Sequence, residues 1–339
     1  MRRRHALGRL AALAAAGVAP RARAQAADGR PYPERPEVAG FLDGLEATAG
    51  LPRAWAEGVL AQGRYSATAE RLTTPSLTPA PRNWREYRAR NVERRRIDEG
   101  IAFARAQRRW LEVMQQTYGV PPAIVTAIIG IESFYGRQTG NFRVLDVLVT
   151  LAFDYPRRAT LYREQLTDFL LLARTQQIDP LELRGSYAGA VGLPQFMPGS
   201  IRRHAVDFDG DGRIDLVASR ADAIGSVGNY LAAQGWQRDL PVAYRAQADA
   251  EVVAALNRGI TAAWKWEGVA GLGVTIDGEL PPEAAVLLID LPGTDEGGAP
   301  TVEFRLGTVN LAALLHYNRS YFYAAAVADL AAAIAQGLR

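Results

Sequence analysis

Residues 121–136 read Pro121-Pro122-Ala123-Ile124-Val125-Thr126-Ala127-Ile128-Ile129-Gly130-Ile131-Glu132-Ser133-Phe134-Tyr135-Gly136. Proline suits a first helical turn, where the N–H it lacks has no intrahelical partner. The stretch therefore predicts a helix that starts at Pro121-Pro122 and ends at Gly136. It is apolar on nearly every side, so the helix should be buried. Glu132 breaks the pattern. An unpartnered carboxylate is costly to bury and needs a reason to be there. Apolar surroundings also raise its pKa, so it can hold a proton near neutrality. A general acid needs that state. A structural ion pair with Arg137, Arg157 or Arg158 would explain Glu132 equally well, and the composition of the helix leaves both readings open.

Working outward, the pattern from Val38 to Tyr118 is mostly helical. Phe41, Leu42, Leu45 and Ala49 share one face, and Ile101 to Gln116 forms a second candidate helix. Trp84, Tyr87 and Trp110 add aromatic bulk. Downstream, helices are expected at about 143–153, 157–176, 199–206 and 222–234. Between 237 and 305 the runs EVVAAL, GVTI and AAVLLIDL alternate with Gly and Pro, and short strands are expected. Thr308 to Gln336 returns to helix. The short run Arg94-Arg95-Arg96 reads as a solvated helix face. No internal repeat is present.

Hydrophobic residues make up 48% and charged residues 22% of the 339, so a soluble chain with a sizeable core is expected. The formal charge is +3, and nearly all of the positive charge is arginine. Six arginines fall within the first 23 residues (Arg2, Arg3, Arg4, Arg9, Arg21 and Arg23). Without that segment the chain is neutral to slightly acidic, which gives nucleic-acid binding little support. There is no cysteine. Disulfides, thiol nucleophiles, thiolate metal sites and a cysteine-linked lipid anchor are thereby excluded. The first 24 residues have the order of an export signal: basic Met1–Arg9, apolar Leu10–Val18, then Ala22-Arg23-Ala24 before Gln25. The apolar part is too short to span a membrane, and the arginine pair also permits twin-arginine export. Residues 25–36, polar and Pro-rich, read as a linker.

Glu132 then acquires a family context. GIESFYG, the run Asn141-Phe142-Arg143-Val144-Leu145-Asp146 and LAFDYPRRA resemble the lytic murein transglycosylase B family. So do the run Gly185 to Pro198, the pair AVDFDGDGRIDL and DAIGSVGNYLAAQGW, and the near-terminal HYNRSYFYAAAV, in the same order. The resemblance covers most of residues 80–336. It implies a mainly α (α+β) fold, a lysozyme-like helical core with a flanking helical domain and a small β domain. It places the N-terminal helical domain at 37–117 and the catalytic core at 118–236. The β-containing domain follows at 237–306, and a helical segment completing the groove at 307–339. It implies that Glu132 is the single catalytic carboxylate. It also implies that Ser186, Gln195, Tyr230, Tyr317, Asn318 and Tyr323 line the glycan groove. Tyr87 belongs there too, with Arg157 and Arg158 facing a peptide or muramyl carboxylate. Aromatic faces suit sugar rings, amides suit N-acetyl groups, and arginine suits carboxylates because it binds them bidentately.

Asp207-Phe208-Asp209-Gly210-Asp211-Gly212-Arg213-Ile214-Asp215 follows the spacing of an EF-hand-type loop. Acidic side chains at positions 1, 3 and 5 converge on a hard cation, Gly212 permits the sharp turn, and Arg213 offers its carbonyl. Position 12 is Ala218, so the usual bidentate glutamate is missing. The family resemblance suggests Asp222 as substitute. A structural calcium ion of modest affinity is expected, and no cofactor for catalysis.

The resemblance implies cleavage of the bond between N-acetylmuramic acid and N-acetylglucosamine, closing a 1,6-anhydro ring without water. Two alternatives stand beside it. A lysozyme-type hydrolase would need a second carboxylate, for which Asp146 and Asp154 are the candidates. A calcium-stabilised scaffold would bind glycan strands without cutting them. The expected setting is the periplasm and the expected state a monomer. Peptidoglycan glycan strands are the expected partner, possible wall-synthesis proteins a second, and nucleic acid none.

Overall fold

The computed structural model describes residues 31–76, 82–256 and 259–339. The expected export signal and residues 25–30 of the expected linker lie outside the described residues.

The first helices are α1 (Pro36–Ala49), α2 (Arg53–Leu60), α3 (Ala67–Thr73), α4 (Trp84–Asn91), α5 (Arg94–Ala106) and α6 (Arg108–Tyr118). The stretch expected as one helix over 101–116 is broken at Gln107, which caps both α5 and α6. The break has a packing reason. Phe103 and Ala104 of α5 face inward with the chain's last helix, whereas Leu111 and Met114 of α6 are buried beside a different neighbour further along the chain. One straight helix could not serve both. Tyr32, within the expected linker, is buried, and its hydroxyl donates to Asp154 at 2.7 Å, alongside an Arg35–Asp154 pair at 2.8 Å.

The quoted stretch forms α7 (Pro122–Ser133), buried from Ile124 to Gly130. It stops three residues before Gly136, because Phe134 and Tyr135 already take left-handed backbone (φ 49° and 59°). Then follow α8 (Val144–Phe153), α9 (Ala159–Thr175), α10 (Pro198–His204) and α11 (Arg220–Ala233). α8 packs on α9 and α9 on α10, while α11 lies against α6 and α7.

The small sheet holds five antiparallel strands in the order β4-β6-β7-β3-β5. They are β3 (Ala243–Gln247), β4 (Trp264–Lys265), β5 (Thr275–Ile276), β6 (Ala285–Thr294) and β7 (Pro300–Thr308). The numbering leaves β1 (Phe142–Arg143) and β2 (Arg184–Gly185) for a separate two-residue ladder. β6 is apolar on both faces, and alternation explains why. Leu287, Ile289 and Leu291 join the main core, while Val286 and Leu288 join a second core with Val253, Leu256, Val269, Val274 and Leu306. The run EVVAAL, expected as a strand, is helix α12 (Ala250–Leu256). Val253 and Leu256 are three apart, so a helix puts both on the second core, and alanine favours it. A short α13 (Trp266–Ala270) follows.

The expected terminal helix is two helices, α14 (Val309–Tyr317) and α15 (Tyr321–Leu338). Asn318 turns extended, and Ser320 caps α15 by accepting the Tyr323 N–H. α15 lies along α7 and α5. Arg305 of β7 fastens the sheet to it. Its buried guanidinium pairs with Asp329 at 2.8 Å and Glu303 at 2.6 Å, below the Trp84 ring. Removing one partner of a buried pair leaves the other uncompensated. Arg305→Ala is therefore expected to lower stability by ~3 kcal/mol in urea unfolding.

Candidate active site

Glu132 sits in the last turn of α7, and the chain after it is tightly held. Non-glycine residues in left-handed backbone cost on the order of 1 kcal/mol each. Ser133 compensates locally: its hydroxyl donates to Leu193 O at 2.8 Å and accepts the Gly136 N–H at 3.1 Å. Tyr135 folds back so that its hydroxyl donates to Arg96 O at 2.7 Å. That hydroxyl lies in a notch between Gly100 of α5 and Gly130 of α7, where a Cβ on either glycine would come within 2.5 Å of it.

No cation pairs with Glu132 among the described residues. Arg137 instead pairs with Glu99 at 2.5 Å, and Arg157 and Arg158 are exposed on a 3₁₀ turn at Pro156–Arg158. The ion-pair reading of Glu132 fails on this geometry. Burial pushes its carboxyl from the ordinary 4.5 up to about 7, and the nearby Tyr323 hydroxyl partly opposes the rise. That hydroxyl is itself buried and makes no bond of ordinary geometry among the described residues.

Three tyrosines gather at the carboxyl. Burial first, and then the charge of Glu132, raises the phenol pKa of Tyr87, Tyr317 and Tyr323. Tyr317 stacks on Tyr323 at 6.3 Å and meets the edge of Tyr230 at 4.9 Å. The Tyr317 hydroxyl donates to Pro194 O at 2.6 Å, and the Tyr230 hydroxyl to His316 O at 2.8 Å. Both phenols are thus committed to the protein's own carbonyls. Phe196, which the sequence reading did not single out, packs on both rings at 5.5 and 5.7 Å. Its only signal was membership of the quoted 185–198 run.

The turn bearing Gln195 is bound to this cluster through the Ser133–Leu193 and Tyr317–Pro194 bonds. Gln195 is left-handed (φ 51°), and its amide nitrogen donates to Thr139 O at 3.1 Å and Gly192 O at 2.8 Å. The Ser186 hydroxyl accepts from the Ala188 and Ala190 N–H groups, shaping its own turn. Asn318 is exposed at the bend between α14 and α15. Arg158 acts on Tyr162 rather than on the Glu132 cluster. Neither Asp146 nor Asp154 is free: Asp146 accepts the Arg64 N–H at 2.8 Å and pairs with Arg143, and Asp154 holds Tyr32 and Arg35. A cleft of about 1000 Å³ lies beyond Thr139, between the end of α9 and residues 212–217, and does not include Glu132.

In the acidic loop, ligand oxygens of exposed Asp207, Asp209 and Asp211 lie within 4.8 Å of one another. Asp207 accepts from the Gly210, Asp211 and Gly212 N–H groups, and Asp211 from the Arg213 N–H, so the loop is already curled. Asp215 caps Val217 and Ala218. Asp222 is buried outside the three-carboxylate cluster. Its two oxygens accept the Phe208 and Asp215 N–H groups at 2.8 Å, clasping the loop's two ends. Three convergent hard oxygens with a preformed turn fit a calcium-type ion.

Residues 33–332 match the family described as Transglycosylase SLT domain. The chain is 36% identical over 317 residues to membrane-bound lytic murein transglycosylase B of Escherichia coli (strain K12), covering 91% of this chain and 85% of that protein. It is similar to the E. coli lytic transglycosylase Slt35 in complex with calcium (TM-score 0.77, 36% identity, 90% of this chain and 94% of that one). It is also similar to SltB3 from Pseudomonas aeruginosa in complex with NAG-NAM-pentapeptide (TM-score 0.72, 30% identity, 89% of this chain and 80% of that one). With its helical core, small sheet and a largely desolvated glutamate in an apolar helix, the chain belongs to the lytic murein transglycosylases of the SLT-domain family.

Proposed function

We propose that this lytic transglycosylase cleaves the β-1,4 bond between N-acetylmuramic acid and N-acetylglucosamine in peptidoglycan, with Glu132 as its single acid and base. The observation that carries the reading is a largely buried carboxyl, with a little of its surface open and no paired cation among the described residues, in the field of Tyr87, Tyr317 and Tyr323, while Asp146 and Asp154 are tied up elsewhere. Neither candidate for a hydrolase's second carboxylate is free to act.

Protonated Glu132 gives its proton to the glycosidic oxygen as the bond to C1 of the muramyl ring breaks. The sugar's N-acetyl group, oriented by Ser186 or Asn318, shares the developing positive charge. Ionised Glu132 then takes the proton of the muramyl 6-hydroxyl as that oxygen bonds to C1. The products are a 1,6-anhydromuramyl end and a free 4-hydroxyl, with no water consumed. Tyr230 and Tyr317 form the rigid wall behind the sugar, and Gln195 presents its amide oxygen from a left-handed turn. The expected location is the periplasm. The acidic loop holds a structural calcium ion through Asp207, Asp209 and Asp211, with the Arg213 carbonyl and Asp215 completing the set and Asp222 supporting it.

Digestion of purified peptidoglycan should give anhydromuramyl products from the wild type and none from Glu132→Gln, as read by mass spectrometry. Reducing-end products would make the enzyme a hydrolase, and strand binding without products a scaffold.

The same variant separates burial from folding. Because the folded pKa of Glu132 lies above its unfolded value, its neutral form is favoured on folding. Stability is therefore lost as pH rises from 4.5 to about 7. Glu132→Gln should match the wild type at pH 4 and exceed it at pH 8 by on the order of 3 kcal/mol in thermal unfolding.

Calcium should raise the melting temperature and a chelator should lower it. Asp209→Asn should remove most of that increment while leaving the fold intact by circular dichroism.

A further inference from the structure

Phe134 stands two residues after Glu132, and its ring is 7% exposed. Three guanidinium groups lie over it: Arg95 at 5.1 Å, Arg96 at 5.2 Å and Arg137 at 5.9 Å. One cation covers an aromatic face; three repel one another unless something offsets them. Glu99 offsets two of them, taking Arg137 at 2.5 Å and Arg95 at 3.7 Å. Arg90 and Arg96 have no carboxylate partner among the described residues. Arg96 spends one terminal nitrogen on Arg90 O at 2.6 Å, and its Nε is buried without an acceptor. Leaving a buried donor unmade costs on the order of 1–3 kcal/mol. The cluster also opposes the field of α5. Arg94, Arg95 and Arg96 fill its first turn, where the helix end is already positive, with no acidic residue there and no capping side chain.

This cluster adjoins the Glu132 site. Besides burial, Glu132 raises the Tyr87 phenol pKa while Arg90 and Arg96 lower it, so one tyrosine lies within electrostatic reach of both groups. A charge excess with a buried empty donor, beside a glycan-cleaving carboxyl, points to an anion on the substrate. The sugar backbone has few charges of its own; its peptide stems carry carboxylates. Guanidinium forks bind carboxylates bidentately.

We propose that Arg90, Arg95, Arg96 and Arg137 form a carboxylate-binding site that takes the peptide stem of the glycan strand. The proposal rests on the lytic transglycosylase reading. It assigns stem recognition to the face at Phe134, whereas the exposed pair Arg157-Arg158 was the expectation from sequence.

The test compares glycan strands that keep their stems with the same strands whose stem carboxylates are capped as amides, which leaves the lactyl amide intact. The wild type should prefer the uncapped strands in kcat/KM. Arg96→Gln should reduce that preference roughly tenfold, mostly through KM. Arg90→Gln, at an exposed position, should reduce it in the same direction without a fall in melting temperature. Equal losses on both strand types would make the cluster a packing device, and an unchanged ratio in both variants would remove it from recognition. Each of these results overturns the proposal. If the wild type cuts neither substrate, the transglycosylase reading fails on its own. Calorimetry with a free stem pentapeptide then still decides the site: binding weakened in both variants supports it, and binding unaltered overturns it.

Discussion

A carboxylic acid without a counter-ion, in the last turn of an apolar helix, is the constraint around which this molecule is arranged. Two effects disfavour its ionised form: burial, and the negative end of the α7 dipole. The protein could relieve both with one arginine, and Arg137 is close in sequence. It is drawn away to Glu99 instead. The carboxyl is thus kept near the pH at which it can both give and take a proton, and the surrounding fold bears the energetic cost. The two left-handed residues after it, the Tyr135 hydroxyl between two glycines and the Ser133 bridge are the local devices that prevent the turn from relaxing toward water.

The same economy shows in the tyrosines. A wall of phenols beside an acid invites a reading in which each hydroxyl touches substrate. Two of them are already bonded to the backbone carbonyls of His316 and Pro194. They hold α11, α14 and the 192–196 turn at fixed distances, and what they offer a sugar is ring face. Tyr323 keeps its hydroxyl beside Glu132 without a bond of ordinary geometry among the described residues. A single acid next to a rigid apolar wall suits a reaction whose nucleophile arrives on the substrate. Activating water would need a second base held at a distance, and the two candidates, Asp146 in α8 and Asp154 just after it, bind Arg64 and Tyr32 of the N-terminal region instead.

Glu132 drew notice because it violated an apolar pattern, and α7 to α9 were legible from their apolar periodicity, since among α7 to α11 Ser219 of α11 is the one capping side chain. Failures came where tertiary demands overrode local pattern. Gln107 breaks a continuous helical signal because α5 and α6 face different neighbours. EVVAAL carries β-branched valines, yet its i, i+3 pair meets the second core as a helix. The left-handed turn at Gln195 leaves no compositional mark, since its cause is the pair of carbonyls at Thr139 and Gly192 that capture its amide. Arg94-Arg95-Arg96 read as a solvated face. Arg94 fits that, paired with Asp98 at 2.9 Å, but Arg95 and Arg96 lie over the ring of Phe134, which is distant in sequence and just beyond the end of α7.

The acidic loop shows how a missing ligand can be structurally unnecessary. A bidentate glutamate at position 12 normally draws the exiting helix onto the ion. Here the exiting helix is already drawn in. Asp222, from the first turn of α11, bonds the backbone at both ends of the loop, and Ser219 caps that helix while donating to Asp209. Loop closure therefore comes from hydrogen bonds, and a cation has one remaining task, to screen Asp207, Asp209 and Asp211 from one another. That division matters beyond the loop. α11 carries Tyr230, whose ring supports Tyr317 and so the wall beside Glu132. The acidic loop and the wall beside Glu132 are thus joined through one helix, with Asp222 at its first turn and Tyr230 near its end.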